Sequence, residues 1–360
     1  MKGKKLGAGL RGLLNCLIPI LLAFLVGGIV IAAIGENPLE TYWILLKKSL
    51  FTKVGFQNTL HYAGPMILTG LAIAVTFKAN IYNMGVEGSL LLGAFFAGIL
   101  GSRMTGNPFV VKLVCLAVGV LCGMAYSLIP AILKAKLRAD EMVVTLMLNY
   151  ALAKVLEFLT TGTFRDNGSG YVCTPMVSES AMFSRIFGKS RLTIFFFIVV
   201  AIWAVMTLYM RRGRLGYEIK AMGMNAEFAE ATGMNVGKKI IFLMLLSGAL
   251  AGFAGAGWMM EDQYRYTLTF SGNPGLGWDG MLIALMGGHN PVGIFIASIF
   301  YAALKTGSDK INMYTNVPKE IVALIQALIV LFLAVKFIDG RFHLVERLKG
   351  KKGKESKTCS

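Results

Sequence analysis

Long apolar runs alternate with short polar stretches from residue 13 to residue 338 of this chain. A bilayer's hydrocarbon core is about 30 Å thick and takes about 20 helical residues to cross. Seven runs meet that length, at residues 13–34, 57–77, 84–101, 109–133, 142–162, 192–210 and 239–259. Two more apolar stretches follow, at 280–306 and 317–338. Lys and Arg crowd the N-terminus, the turn bearing Lys134, Lys136 and Arg138, the stretch 211–239 and the tail from Arg341 to Lys357. By the positive-inside bias all four face the cytoplasm. Nine crossings from a cytoplasmic N-terminus would leave the basic tail outside. A tenth segment comes from the break Gly287-Gly288-His289-Asn290-Pro291, where glycines and a proline interrupt a helical run and leave arms at 278–288 and 292–306.

The expected fold is therefore an all-α polytopic membrane protein of about ten transmembrane segments, at least one broken or re-entrant. Its expected parts are a cytoplasmic N-terminus (1–12) and a transmembrane domain (13–338) with an extracellular loop at 163–191 and a cytoplasmic loop at 211–238. A basic cytoplasmic tail (339–360) completes it. Irregular backbone at membrane depth is tolerated only inside protein or beside water, so the 287–291 break either borders a solute pathway or is a simple kink. Gly119 with Gly123, and Gly248 with Gly252, have the spacing of helix-packing contacts.

Composition agrees with a membrane class: 56% hydrophobic residues, 15% charged and 42 glycines, with a mean hydropathy of +0.65. The net charge of +17 lies in the cytoplasmic stretches, so it implies topology and contact of the tail with anionic lipid, and no nucleic-acid partner. Lys2, Lys4 and Lys5 precede the first run as in a signal peptide. The run is long, and later spans need an uncleaved first helix, so it is expected to stay. The five cysteines lack metal or paired spacing and read as small packers, and His61, His289 and His343 are scattered, so no metal is expected. Gly188-Lys189-Ser190 lacks the upstream glycine of a phosphate-binding loop, with Phe183 in its place. The chain carries no recognisable engine or catalytic motif, which leaves an ion gradient or a partner to drive uphill movement.

Polar groups inside membrane segments are costly and tend to face a pore or a partner. Asn83, Glu87, Asn149, Asp279 and Asn290 are the candidates for a substrate pathway, with Tyr82, Tyr150 and Trp278 beside them. The alternative is that Asn83, Glu87 and Asn149 tie broken helices together. Lys154 and Glu157, three apart on one helix, read as an ion pair or, more sharply, a proton relay. Residues 216–235 are helix-forming, alanine-rich and bounded by glycines, which suits an interfacial helix or one that plugs into a partner's groove.

The run Glu227-Phe-Ala229-Glu-Ala-Thr-Gly233 resembles the Glu-Ala-Ala-x-x-x-Gly coupling loop of bacterial ABC importer permeases, with Phe228 in place of the first alanine. Residues 80–88, 140–150, 221–226, 247–256, 277–280 and 284–293 resemble the branch serving ribose-type sugars, branched-chain amino acids and nucleosides. Within it, residues 141–150, the long N-terminal lead and the length look most like the larger permease of guanosine-type nucleoside importers. Asp140 and Ser89 depart from the pattern and leave the solute open between nucleosides, sugars and amino acids.

The resemblance implies that Gly223, Asn225, Glu227, Ala229 and Gly233 form the joint to an ABC ATPase, a double-cassette one, which binds ATP and Mg. It also implies a second permease subunit, an extracytoplasmic substrate-binding lipoprotein and a bacterial plasma-membrane location. The chain itself would bind no cofactor and catalyse nothing. An ion-coupled carrier is the reading from another class.

Overall fold

The computed structural model describes residues 20–188, 190–271, 274–315, 318 and 320–342. The segment 1–12, the start of the first apolar run with Cys16, Lys189, His343, Cys359 and most of the basic tail lie outside the described residues. The described residues are mainly helical, apart from an irregular stretch at 162–194: α1 (Ile20–Ala33), α2 (Pro38–Leu46) with a π-helical turn (Lys47–Phe51), α3 (Lys53–Phe77), α4 (Val86–Arg103), α5 (Pro108–Leu137), α6 (Glu141–Thr161) and α7 (Phe195–Arg212). Then come α8 (Arg214–Met224), α9 (Ala226–Ala231), α10 (Val236–Trp258) continued by a π-helical turn (Met259–Gln263), α11 (Leu268–Ser271), α12 (Leu276–Met286), α13 (Pro291–Tyr314) and α14 (Glu320–Phe342).

Seven of the helices are long and apolar enough to cross a bilayer, namely α3, α4, α5, α6, α7, α10 with its π turn, and α13 as far as Ile311. Ile20–Ala33, Leu276–Met286 and Glu320–Ile329 are shorter apolar helices. The break at 287–290 is there: α12 ends at Met286 and α13 begins at Pro291. Gly288 and His289 turn the chain through the left-handed region at φ 59° and 55°. The helical segment α2 with its π turn was not legible in the apolar pattern, because Glu40, Lys47 and Lys48 interrupt it. The single short helix expected at 216–235 is two helices, separated at Asn225, whose extended backbone (φ −162°) ends α8.

The chain divides into two compact units, Thr52–Ala303 and the pair of ends Met1–Phe51 with Leu304–Ser360. In the larger unit, α3 is buried at every position from 63 to 77, which fits a helix apolar on all sides. The glycine pairs on α5 and α10 meet each other. A Cβ on Gly123 would fall 2.2 Å from the Gly248 carbonyl oxygen, and one on Gly252 would fall 2.2 Å from that of Gly119. α4 joins the same contact, since a Cβ on Gly93 would stand 2.7 Å from the Gly252 oxygen and one on Gly255 would stand 2.1 Å from that of Leu90. Lipid tails give helices no hydrophobic reason to associate, so backbone-to-backbone approach supplies dispersion contact in its place.

In the smaller unit, a Cβ on Gly27 of α1 would lie 2.5 Å from Ile325 Cγ1 of α14. The Tyr42 hydroxyl of α2 donates to the Phe24 carbonyl oxygen at 2.7 Å.

Candidate functional site

Between α3 and α4 the backbone is irregular over residues 80–85, yet Ile81, Asn83, Met84 and Gly85 are buried. Unpartnered amide groups there would each cost several kcal/mol away from water. Helix α6 supplies the partners through side chains at i, i+4 and i+8. Glu141 accepts from the Tyr82 N–H at 3.2 Å, and Thr145 from the Met84 N–H at 3.2 Å. Asn149 accepts from the Gly88 N–H at 3.1 Å and donates to the Met84 carbonyl at 2.8 Å. The Tyr126 hydroxyl also donates to the Asn149 oxygen, at 2.7 Å. Asn83 closes the turn on itself by accepting from the Gly85 N–H at 2.9 Å, and its amide donates to Ser247 Oγ on α10 at 3.1 Å. Lys134 pairs with Glu141 at 2.5 Å and ties in the end of α5.

Glu87, buried in the first turn of α4, reaches the start of α12. Its two oxygens accept from the Gly275 N–H at 3.0 Å and from the Gly277 N–H. Two helix N-termini, each with a partial positive charge, thus converge on one carboxylate. Gly277 has to be glycine here, since a Cβ would sit 2.5 Å from the Glu87 oxygen. Asp279, one turn into α12, accepts from the Tyr301 hydroxyl of α13 at 2.7 Å. Asn290 is exposed and accepts from the Val292 N–H at 3.3 Å at the start of α13. Glu87 and Asn149 thus lie together, while Asp279 serves the α12–α13 contact and Asn290 stands apart.

A recess of about 260 Å³ opens beside this brace, lined by Glu87, Asn149, Tyr150, Lys154, Glu157 and Trp278 among others. Lys154 and Glu157 form an ion pair at 2.8 Å.

At the loop between α7 and α10, Gly223 packs so tightly on the end of α3 that a Cβ would meet the Lys78 carbonyl oxygen at 2.1 Å. Ala229 is 1% exposed, in a cluster with Val75, Ile81, Met222 and Leu243. Asn225 caps α9 by accepting from the Phe228 N–H at 2.9 Å. Gly233 ends it at φ 89°, a conformation that favours glycine. Glu227 lies in the first turn and is exposed.

Two features of this loop escape a motif reading. Glu218, 5% exposed, pairs with Arg214 at 3.0 Å and with Lys239 of α10 at 2.6 Å. An acid four residues from one cation was the available signal for the first of these pairs. The second feature is an open groove of about 500 Å³ lined by Tyr217, Lys220, Ala221, Met224, Asn225 and Phe228. Met224 and Phe228 are 79% and 68% exposed, one at the end of α8 and the other in α9, on either side of the extended Asn225. Nearby, burial and then the charges of Lys220 and Arg211 lower the proton affinity of Lys78. Burial, with Lys78 adding to it, pushes His289 down to about 4.

A second buried polar cluster joins α3 to the end of α10. His61 lies 3.3 Å from Asp262 and 3.6 Å from Glu261, and Thr193 donates to Glu261 at 2.6 Å. Nothing in the spacing of these residues marked them.

Comparison with known proteins adds the following. The family model described as "Branched-chain amino acid transport system / permease component" matches residues 55–334. The chain is 31% identical to the nucleoside ABC transporter permease protein NupB of Lactococcus lactis, over 91% of this chain and 92% of that one. It is 30% identical to the guanosine ABC transporter permease protein NupP of Bacillus subtilis, over 92% and 97%. The same identity, 30% over 91% and 88%, relates it to the glucose ABC transporter permease protein TsgB13 of Haloferax volcanii. No solved structure matches the chain.

Proposed function

Because this chain belongs to the family of branched-chain amino acid transport system permease components, a family of multi-pass membrane proteins, we propose that it is the permease subunit of an ATP-driven importer of nucleosides. The observation that carries the solute class is similarity along nearly the whole length to two nucleoside permeases, at 31% and 30% identity. Glucose-type sugars are the second reading, favoured by the 30% identity to the archaeal glucose permease.

In this reading the seven long and three shorter apolar helices supply ten membrane segments with both termini in the cytoplasm of a bacterial plasma membrane. The loop of α8 and α9 is then the joint to a double-cassette ATPase that holds ATP and Mg. The exposed Met224 and Phe228 enter the ATPase, while Gly223, Asn225, Ala229 and Gly233 fix the loop's shape, and Glu227 complements the α9 N-terminus. The Glu218–Lys239 pair binds α8 to α10, so a displacement at the loop reaches the membrane helices. A second permease subunit and an extracytoplasmic binding lipoprotein complete the complex. Asn83, Glu87 and Asn149 hold the pathway wall in shape, and Asp279 and Asn290 fix the broken helix behind it.

The test is uptake of labelled guanosine and labelled glucose into vesicles holding the complete complex. Guanosine accumulation that needs ATP inside and binding protein outside supports the reading, and Gly233→Val should abolish it while leaving the protein inserted. Accumulation of glucose alone moves the assignment to sugars. Uptake driven by a proton or sodium gradient without ATP replaces the importer with a carrier.

A further inference from the structure

Helix α6 carries two neighbouring stripes with different work. Glu141, Thr145 and Asn149 brace the irregular 80–85 segment. Leu146, Tyr150, Ala153 and Glu157, with Lys154 alongside, recur at helical spacing and line the 260 Å³ recess with Glu87, Ser271 and Trp278. The Lys154 side chain is 81% exposed and that of Glu157 45% exposed, on a helix apolar enough to span the bilayer. A lysine facing lipid at the centre of a span costs roughly 2.5–3.5 kcal/mol, so charged groups in spans turn toward water or protein. The ion pair lies about two turns from the end of α6, at the rim of a recess whose wall also holds a carboxylate.

We infer that this recess is a seat for an uncharged solute bearing a flat heteroaromatic ring and hydroxyl groups, with Trp278 and Tyr150 contacting the ring and the Lys154–Glu157 pair reading its polar edge. The inference rests on the nucleoside-importer reading and deepens it. Broken helices of membrane carriers often aim their N-termini at an anionic group of the substrate. Here that place is taken, because Glu87 accepts the Gly275 and Gly277 N–H groups at the start of α12. Both Glu87 oxygens are engaged there, so the two main-chain N–H groups that a carboxylate or phosphate on the solute would use are already taken.

The rim pair is internally neutral as well, at 2.8 Å, yet it offers spare N–H donors and carboxylate lone pairs. The Asn149 oxygen is occupied, accepting from the Gly88 N–H and the Tyr126 hydroxyl, while its amide donates one N–H to the Met84 carbonyl and has a second N–H to offer. Tyr150 is 69% exposed, and aromatic faces suit purine and pyrimidine rings, whichever base is presented.

The experiment uses the complete transporter in proteoliposomes. Lys154→Cys is treated with a water-soluble methanethiosulfonate cation on both sides of the membrane, against the unsubstituted protein as background. The expected result is rapid labelling, slowed at least about fivefold by saturating guanosine but not by guanosine monophosphate or leucine. Absence of labelling overturns the inference by showing position 154 facing lipid, and so does protection by the anion equal to that by guanosine. Either result alongside intact ATP-driven guanosine import leaves the importer reading standing. As a second arm, Trp278→Ala should raise the KM for guanosine uptake at least about fivefold with kcat kept, and Trp278→Phe should restore it. A fall in kcat at unchanged KM for both variants assigns Trp278 a packing role only and overturns its part in the seat.

Discussion

Asn149 shows what one polar residue does at membrane depth. It satisfies the Gly88 N–H, the Met84 carbonyl and the Tyr126 hydroxyl at once. Asn149→Leu is expected to leave three buried groups unpaired, at about 1–3 kcal/mol each. Thermal unfolding of the detergent-solubilised protein should show a fall well beyond that of Thr145→Val, which frees the Met84 N–H alone among main-chain donors. His289 supports a prediction of opposite chemical character. Its folded value is depressed to about 4 from an ordinary 6.5, so the fold binds the neutral imidazole. Its contribution to stability is full above about pH 6.5, is lost progressively as pH falls to about 4, and does not change further below that. His289→Asn should flatten that part of the unfolding-versus-pH curve, measured between pH 7 and pH 4.

At the scale of elements, the helix-packing glycines carry the clearest expectation. Gly252→Ala puts a Cβ 2.2 Å from the Gly119 carbonyl oxygen, and neither backbone can yield without opening α5 from α10. The variant should lose folded protein on size-exclusion chromatography, whereas Gly170→Ala, with open space around it, should not. Those two glycine pairs were legible as packing spacings, as were the long spans and the 287–290 break, because apolar length and Gly-Pro punctuation are local properties. That the pairs face each other was not legible, since which helix meets which is set by tertiary packing. Asn149 was legible as a polar group inside a span, whereas Glu141 and Thr145, which act with it from the same helix face, were not singled out. Their target, the backbone of residues 82–88, lies some sixty positions earlier in the chain, and only the fold brings it alongside. Glu87 was visible as a polar group in a span, and its role at the start of α12 was not, because Gly275 and Gly277 advertise flexibility and say nothing of who accepts their N–H groups. The Met224–Phe228 groove was hidden by the family pattern itself, in which Phe228 reads as a departure from alanine.

At the scale of the whole molecule, the importer reading requires motion, and the glycine contacts limit which parts can supply it. With α4, α5 and α10 interlocked main chain to main chain, sliding one past another would drive carbonyl oxygens into Cα atoms. The three helices therefore travel as a single plate, and any flexing falls to the places where helices stop, at Asn225 and at Gly288–His289. A pair of spin labels at exposed Leu121 on α5 and Phe242 on α10 should report one unchanging separation with ATP, with ADP and with neither. A label on Met224 measured against the same plate should shift between those states. The six glycines thus act as the stiff arm of a lever, turning a push at one short helix into displacement across the full thickness of the bilayer.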